Sequence, residues 1–406
     1  MSERTGADPI AIVGGGQAGA SCAERLRKKG YDGRIVLIGA EPYFPYQRPP
    51  LSKKYLSGEW ERDRLLLRPE TFWRDQDIEL KLGTGVTRLD ADSRKLLVGD
   101  EEVRWSRLLL ATGTRPRRLP GVSGEMSGVH VLRGIDDVDR LAPAFKPGAK
   151  LVVIGGGYVG LETAAVAVEA GLEVTVVEAA PRILARVTCE ETADFFRDLH
   201  RARGVTLLEG QSVRGLCGGD TVTGVRLENG ELPADLVLVG IGAVPETRLA
   251  EEAGIACDDG ILVDARGRTS APDIWAAGDC ARFDFEGVST RLENVQNAIN
   301  QAETTADDML GEAMDYAPVP WFWSDQYDVK LQIAGIGSGH DRLVPVIQEN
   351  GRSHWYFRVG KLIAVDAIND GKAFMTAKRL LATKTLVDPD QLTRPGFEPR
   401  QLLAPV

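Results

Sequence analysis

Two copies of one glycine pattern, 141 positions apart, constrain this chain more than any other feature. Residues 10–19, IAIVGGGQAG, run a short apolar strand into Gly14-x-Gly16-x-x-Gly19, with Ala18 inside the motif, and a helical stretch continues to about Lys29. Residues 151–160, LVVIGGGYVG, repeat it as Gly155-x-Gly157-x-x-Gly160, with Tyr158 inside, ahead of an Ala-rich helix to about Ala170. One glycine triplet recurs by chance. Two, each after a β-branched run and each followed by helix and strand, are specific. The repeat extends to residues 108–116, LLLATGTRP, and 236–245, LVLVGIGAVP, both apolar strands ending in glycine and proline. Each half reads as a dinucleotide-binding unit, with phosphates held by free N–H groups and the dipole at a helix N-terminus. The alternative is that the glycines only permit tight helix–strand packing.

Composition narrows the class. At 406 residues the chain exceeds what one hydrophobic core normally serves, so two or three domains are expected. With 43% hydrophobic and 27% charged residues it is neither disordered nor a coiled coil. A net charge of −10 argues against a nucleic-acid binder or a polybasic membrane surface. No apolar run approaches the roughly 20 residues of a membrane span. Five scattered cysteines form no C-x-x-C and no metal-ligand spacing, so neither a redox dithiol nor a metal site is read. With the short polar start, this odd count points to a reducing compartment and a cytoplasmic protein.

The strand at residues 173–178, EVTVVE, ends in Glu178, placed to accept hydrogen bonds from adenosine ribose hydroxyls and to repel a 2′-phosphate. NADH is therefore expected over NADPH in the second half, although Arg182 and Arg186 lie close by and are either phosphate ligands or a solvated face. After the first motif the acid arrives late, as Glu41 on a loop, either reaching the ribose or merely solvated.

Four further stretches are harder to obtain by accident: residues 46–53 (YQRPPLSK), 111–113 (ATG), 269–279 (TSAPDIWAAGD) and 320–326 (PWFWSDQ). From Ile10 to about Lys378 the chain resembles the NADH-dependent, FAD-containing ferredoxin reductases that serve bacterial oxygenases. The resemblance implies an α/β fold of two Rossmann-like dinucleotide-binding domains, of the glutathione reductase kind, plus a C-terminal α+β interface domain. It places an FAD domain at 1–113 and 247–316, an NAD domain at 114–246, and the interface domain at 317–406.

By that resemblance Gly278 and Asp279 hold the ribityl chain of FAD, and Val295, near the start of a helix, meets the flavin edge. Either Val295 does this or it is a core valine. Lys53 and Glu162 pair beside flavin N5, where their role is electrostatic, against the ordinary reading of a surface lysine and a helix-dipole glutamate. Tyr158 covers the flavin where nicotinamide enters, or simply packs. Arg48, Arg133 and Val86 correspond to FAD contacts, Ala111, Thr112 and Gly113 line the first cofactor, and Gly242 the second. Ala40 departs from the acidic residue common there. Trp323, and more weakly Trp321, stands near the flavin edge or anchors the core.

Hydride transfer from nicotinamide to flavin needs close stacking rather than an acid or base, so His130, His200, His340 and His354 are given no catalytic role. Thiol-dependent relatives carry a cysteine in the loop that here spans 42–53, and this loop has none. Cys22 and Cys280 read as buried small residues. Electrons are then expected to leave singly for a [2Fe-2S] ferredoxin, feeding a cytochrome P450 or a ring-hydroxylating oxygenase. Arg62, Arg64, Arg68, Lys372, Lys378 and Arg379 are candidate docking cations, or a solvated face. A monomer or weak homodimer is expected. The competing readings are an NADH oxidase or rubredoxin reductase, or an apoptosis-inducing-factor-like protein switched by NADH.

The C-terminal part alternates apolar and polar residues over 328–335 and 353–359. A turn at Gly360-Lys361 and a strand over 362–368 complete an expected antiparallel sheet, followed by a helix from about Lys372.

Overall fold

The computed structural model describes residues 8–119, 126–312 and 315–403, so most of the polar start, residues 1–7, lies outside the described residues. The chain divides into two compact units. One comprises Met1–Arg48, Glu61–Arg115 and Ala243–Pro318; the other comprises Pro49–Trp60, Pro116–Gly242 and Val319–Val406.

In the first unit five parallel strands lie in the order Ile274–Ala276, Arg107–Leu110, Ile10–Val13, Ile35–Gly39, Ile78–Leu82. Every residue of Ile10–Val13 and of Ile35–Gly39 is buried because both sheet faces are covered, which is why these strands read as unbroken apolar runs. Side chains alternate between two cores. Ile10 and Ile12 pack with the helices Gln17–Lys28 and Val295–Met309, while Ala11 and Val13 pack with Leu89, Leu96, Val98 and Val103 of the antiparallel sheet Val86–Asp90, Lys95–Val98, Glu101–Arg104.

The second unit repeats the plan, with parallel strands in the order Thr206–Glu209, Glu173–Glu178, Lys150–Ile154, Leu236–Val239, Val129–His130. Its helices include Tyr158–Glu169 and Glu190–Ala202. The same unit holds a five-stranded antiparallel sheet in the order Trp321–Gln326, Val329–Gly335, Lys361–Ile368, Gly351–Arg358, Arg342–Gln348. The helix Gly371–Thr383 buries Ala373, Phe374, Ala377 and Leu380 in the same core as Trp355, Phe357 and Val365 of this sheet.

Two of these five strands were not expected. Trp321–Gln326, WFWSDQ, has aromatic residues on both faces and so lacks the two-residue alternation. Arg342–Gln348 contains Pro345, normally evidence against a strand; it occupies the sheet edge, where a missing N–H breaks no ladder. The turn at Val359 and Gly360, both with positive φ (50° and 71°), is the two-residue hairpin connection expected there, one position earlier. Among the described residues no helix is long and apolar enough to cross a membrane.

Candidate functional site

The two readings of each glycine motif divide between its positions. A Cβ on Gly14 (φ +125°) would stand 2.0 Å from the Ala111 carbonyl oxygen, and one on Gly19 1.9 Å from that of Gly14. In the second unit the same test gives 2.4 Å from Gly240 O for Gly155 and 2.2 Å from Gly155 O for Gly160. The outer glycines are thus demanded by close backbone approach. The middle ones, Gly16 and Gly157, face open space, with nothing within 4 Å. Each is the N-cap of the helix that follows, with no side-chain cap and no acid in the first turn. By contrast Val295–Met309 is capped by Asn294 and Gly371–Thr383 by Asp370, and Glu190–Ala202, which has no side-chain cap, carries Glu190 and Glu191 in its first turn. The two glycine-led helices leave their N–H donors and dipoles open to an anion.

Around the first cradle, Ala111 donates its amide to Val13 O at 2.8 Å. Thr112 Oγ1 donates to the Glu246 carbonyl at 2.6 Å, and Gly113 takes φ +69°. Gly278 (φ +82°) donates its amide to Gln301 Oε1 at 2.9 Å, and a Cβ there would lie 3.0 Å from that of Ala18, so both must be small. Val295 is the first residue of its helix and half-buried. Val86 opens the strand that pairs with Lys95–Val98.

Glu41 and Arg48 meet each other, joined by Tyr46. The Glu41 carboxylate accepts from the Tyr46 hydroxyl and the Arg48 guanidinium, which also donates to the Tyr46 hydroxyl at 2.7 Å. Burial works against the Arg48 charge, but Tyr46, Glu41 and Asp279 outweigh it and hold its pKa above the ordinary value. Tyr46, which touches both of the others, carried no assignment from sequence.

In the second unit Lys53 Nζ lies 2.7 Å from Glu162 Oε2. The same oxygen accepts from Ser52 Oγ at 2.6 Å, and Oε1 accepts from Ser324 Oγ at 2.5 Å. Tyr158, one helical turn before Glu162, stacks on Phe322 with ring centroids 4.3 Å apart. Its buried hydroxyl has no hydrogen-bond partner among the described residues. Phe322, Ser324 and Gln326 share one face of their strand and meet Tyr158, Glu162 and His200 in turn. Trp323, on the other face, stacks on Trp321 at 5.5 Å, and Lys378 Nζ sits 4.5 Å above the Trp321 ring.

Glu178 is locked between its own loop and the second glycine motif, its oxygens accepting from Gly156 N at 2.6 Å and Ala180 N at 2.7 Å. Arg182 donates to Thr188 O at 2.6 Å, whereas Arg186 is exposed. Gly242 takes φ +99°, and a Cβ there would lie 3.8 Å from Arg186 Nη2. The Arg133 amide donates to the Asp137 carboxylate at the start of the helix Ile135–Leu141. Among the docking candidates Arg68 is paired with Glu24 at 2.7 Å, while Lys372 and Arg379 are exposed.

All five cysteines are free. Burial pushes the Cys22 thiol up to about 12 and raises that of Cys280, so neither is a thiolate at neutral pH. One buried group of metal-ligand type, Cys189, His354 and Asp366, lies outside the motifs. Its members are already engaged: Thr192 Oγ1 sits 2.6 Å from His354 Nδ1 and donates to Asp366 at 2.8 Å, and Tyr356 donates to Asp366 as well. A cation would have to displace Thr192 from both.

The chain belongs to the pyridine nucleotide-disulphide oxidoreductase family, whose model matches residues 8–302, and it is an oxidoreductase. A reductase C-terminal model matches residues 321–403. It is similar to the ferredoxin–NAD(P)(+) reductase of a Sphingomonas species, 42% identical over 405 residues and 98% of each chain. The rubredoxin–NAD(+) reductase of Pseudomonas putida is 39% identical over 367 residues, covering 89% of this chain and 95% of that one. The crystal structure of the covalent putidaredoxin reductase–putidaredoxin complex superposes with a TM-score of 0.95 at 37% identity, covering 98% of both chains.

The family implies FAD and NAD(H), and the residues fit them. Two helices begin at open glycines without caps, and a buried tyrosine hydroxyl without a partner among the described residues adjoins the second. Gly14, Gly16, Ala18, Gly19, Gly278 and Asp279 would hold the first dinucleotide, and Gly155, Gly157, Gly160 and Glu178 the second.

Proposed function

We propose that the protein is an FAD-dependent NADH:ferredoxin oxidoreductase, delivering electrons one at a time to a [2Fe-2S] ferredoxin that feeds a cytochrome P450 or a ring-hydroxylating oxygenase. The observation that carries this reading is the Lys53–Glu162 ion pair, reached from a loop without a cysteine. FAD, when bound, accepts a hydride and can return its two electrons separately. Lys53 supplies fixed positive charge where negative charge gathers, and Glu162 keeps that charge from standing alone in a poorly hydrated site. Tyr158 and Phe322 exclude water from the nicotinamide entrance. Glu178 favours NADH: a 2′-phosphate would meet its carboxylate, and the nearby Arg182 is committed to backbone carbonyls.

We assign the FAD domain to 1–113 and 247–316, the NAD domain to 114–246 and the partner-facing domain to 317–406. Lys372, Lys378 and Arg379, with Trp321 and Trp323, form the surface offered to an acidic ferredoxin, in a cytoplasmic setting. The similarity to a rubredoxin reductase supports a second reading in which the acceptor is a rubredoxin.

Anaerobic stopped-flow mixing with NADH, then with oxidised [2Fe-2S] ferredoxin, tests the proposal. Rapid flavin bleaching followed by fast reoxidation on ferredoxin is expected. Bleaching reversed by rubredoxin or oxygen but not by ferredoxin would hand the protein to the competing readings.

A further inference from the structure

Ser324 and Gln326 of the PWFWSDQ stretch, and the buried His200, are absorbed by no step above. They form a continuous chain. Ser324 Oγ lies 2.5 Å from Glu162 Oε1, Gln326 Nε2 3.1 Å from Ser324 Oγ, His200 Nε2 2.8 Å from Gln326 Oε1, and Tyr327 Oη 3.2 Å from His200 Nδ1. Ser324 and His200 are wholly buried and Gln326 is 1% exposed, so the bonds among these three are shielded from bulk water, while Tyr327 at the outer end is half-buried.

The direction of every bond follows from the first. A carboxylate only accepts, so the single Ser324 proton goes to Glu162 and its lone pairs must accept from the Gln326 amide group. Gln326 then presents its oxygen to His200, which must donate from Nε2. Burial keeps the imidazole neutral by lowering its pKa, so Nδ1 carries no proton and accepts from Tyr327. All four donors point toward one charge, an arrangement in which each bond polarises the next.

We propose that Ser324, Gln326, His200 and Tyr327 are positioning residues for Glu162. Their one-way chain fixes the carboxylate against Lys53 and couples its charge to the tautomer of a histidine three residues away along the chain of bonds. The functional half rests on the NADH-to-FAD reading above; the tautomer does not.

The test uses the FAD-loaded protein with 15N-labelled histidine, of which there are four, His200 being assigned from the spectrum of His200→Gln. Long-range 1H–15N correlation should show His200 as the neutral Nε2–H tautomer. Ser324→Ala cuts the chain and Glu162→Gln allows it to reverse, so both should mix the tautomers, while Ser324→Thr should preserve the wild-type pattern. An Nδ1–H or doubly protonated ring in the wild type, or a tautomer unmoved in both variants, overturns the proposal. In anaerobic stopped flow Ser324→Ala should slow flavin bleaching by NADH about tenfold at unchanged half-saturation, as loss of a charge-assisted hydrogen bond implies, with Ser324→Thr restoring it. Bleaching at the wild-type rate in Ser324→Ala would remove the positioning role. A wild type that NADH does not bleach at all would sink the functional reading while leaving the tautomer result to stand.

Discussion

Lys53 Nζ stands 2.7 Å from Glu162 Oε2, with the lysine side chain 16% exposed and the glutamate 4%. Such a pair adds little by its presence but is costly to break, because the surviving charge keeps its desolvation penalty. Lys53→Met strands the more deeply buried partner and should cost about 3–5 kcal/mol. Glu162→Ala should cost less, since a lysine can swing its head toward water. Pairing Lys53→Met with Glu162→Leu should recover part of the loss. Calorimetric melting of the four proteins checks the order, and a double variant melting below both single ones contradicts it.

The glycine motifs predict a contrast between neighbours. Gly14→Ala and Gly155→Ala drive a methyl group into a carbonyl oxygen at 2.0 Å and 2.4 Å, and should impair folding. Gly16→Ala and Gly157→Ala meet open space, so these variants should fold. Their methyl groups stand where the pyrophosphate is expected. Gly16→Ala should lose FAD retention, and Gly157→Ala should retain FAD but raise the NADH half-saturation tenfold or more. Circular dichroism and flavin content of the purified variants separate the two outcomes.

Glu178 accepts from the loop amides of Gly156 and Ala180, and the proposed function sets it beside the adenosine ribose. Glu178→Ala should raise the KM for NADH about tenfold, the loss of one to two hydrogen bonds to a charged group, while NADPH gains relatively from the removed repulsion. The ratio of kcat/KM for the two nucleotides is the readout. An unchanged ratio would remove Glu178 from nucleotide choice.

The cluster around Thr192 predicts two opposing pH dependences. Burial is the main influence on both groups. It raises Asp366 to about 6, against hydrogen bonds from Tyr356 and Thr192, and lowers His354 to about 4, with Glu191 opposing and Arg352 assisting. Between about pH 4 and 6 the folded state keeps a proton on Asp366 that the unfolded chain releases, so that contribution falls as pH rises. Over about pH 6.5 to 4 the unfolded chain protonates His354 while the folded state does not, so that contribution falls as pH drops. Each is on the order of 3 kcal/mol, and they largely cancel. Asp366→Asn should therefore make the protein more acid-labile than wild type, and His354→Gln less. Melting temperatures across pH 4 to 7 would show the two variants diverging in opposite directions.

Much of the fold was legible because its signals are local. A β-branched run, three spaced glycines, a following helix and the next strand occupy some thirty residues, and the doubled copy announced two parallel sheets. Lys53 and Glu162 were named from a resemblance, while their partners Ser52 and Ser324 were not, since a serine in sequence says nothing of which distant carboxylate it will meet. Glu41 and Arg48 were assigned separately, and the Tyr46 hydroxyl that joins them carried no signal. The edge strand around Pro345 was hidden by a residue that argues against strands except at edges. His200 was given no catalytic role from sequence, and its bond to Gln326 was not legible because it follows from packing between a helix and a strand far apart in sequence.

The contacts Tyr158–Phe322 and Glu162–Ser324 match two different rulers. Four helical residues advance about 6 Å and two strand residues about 6.6 Å, so one turn of the helix keeps step with one full pleat of the strand. This agreement is unforgiving of changes in chain length. Deleting one residue just before Phe322 would shift the strand by half a period and set Asp325, a second carboxylate, against Glu162, whereas inserting one would set Trp323 there instead. A change of two residues would restore the face but bring Phe322 or Gln326 against Glu162, so the three contacts together fix both the parity and the length of this segment.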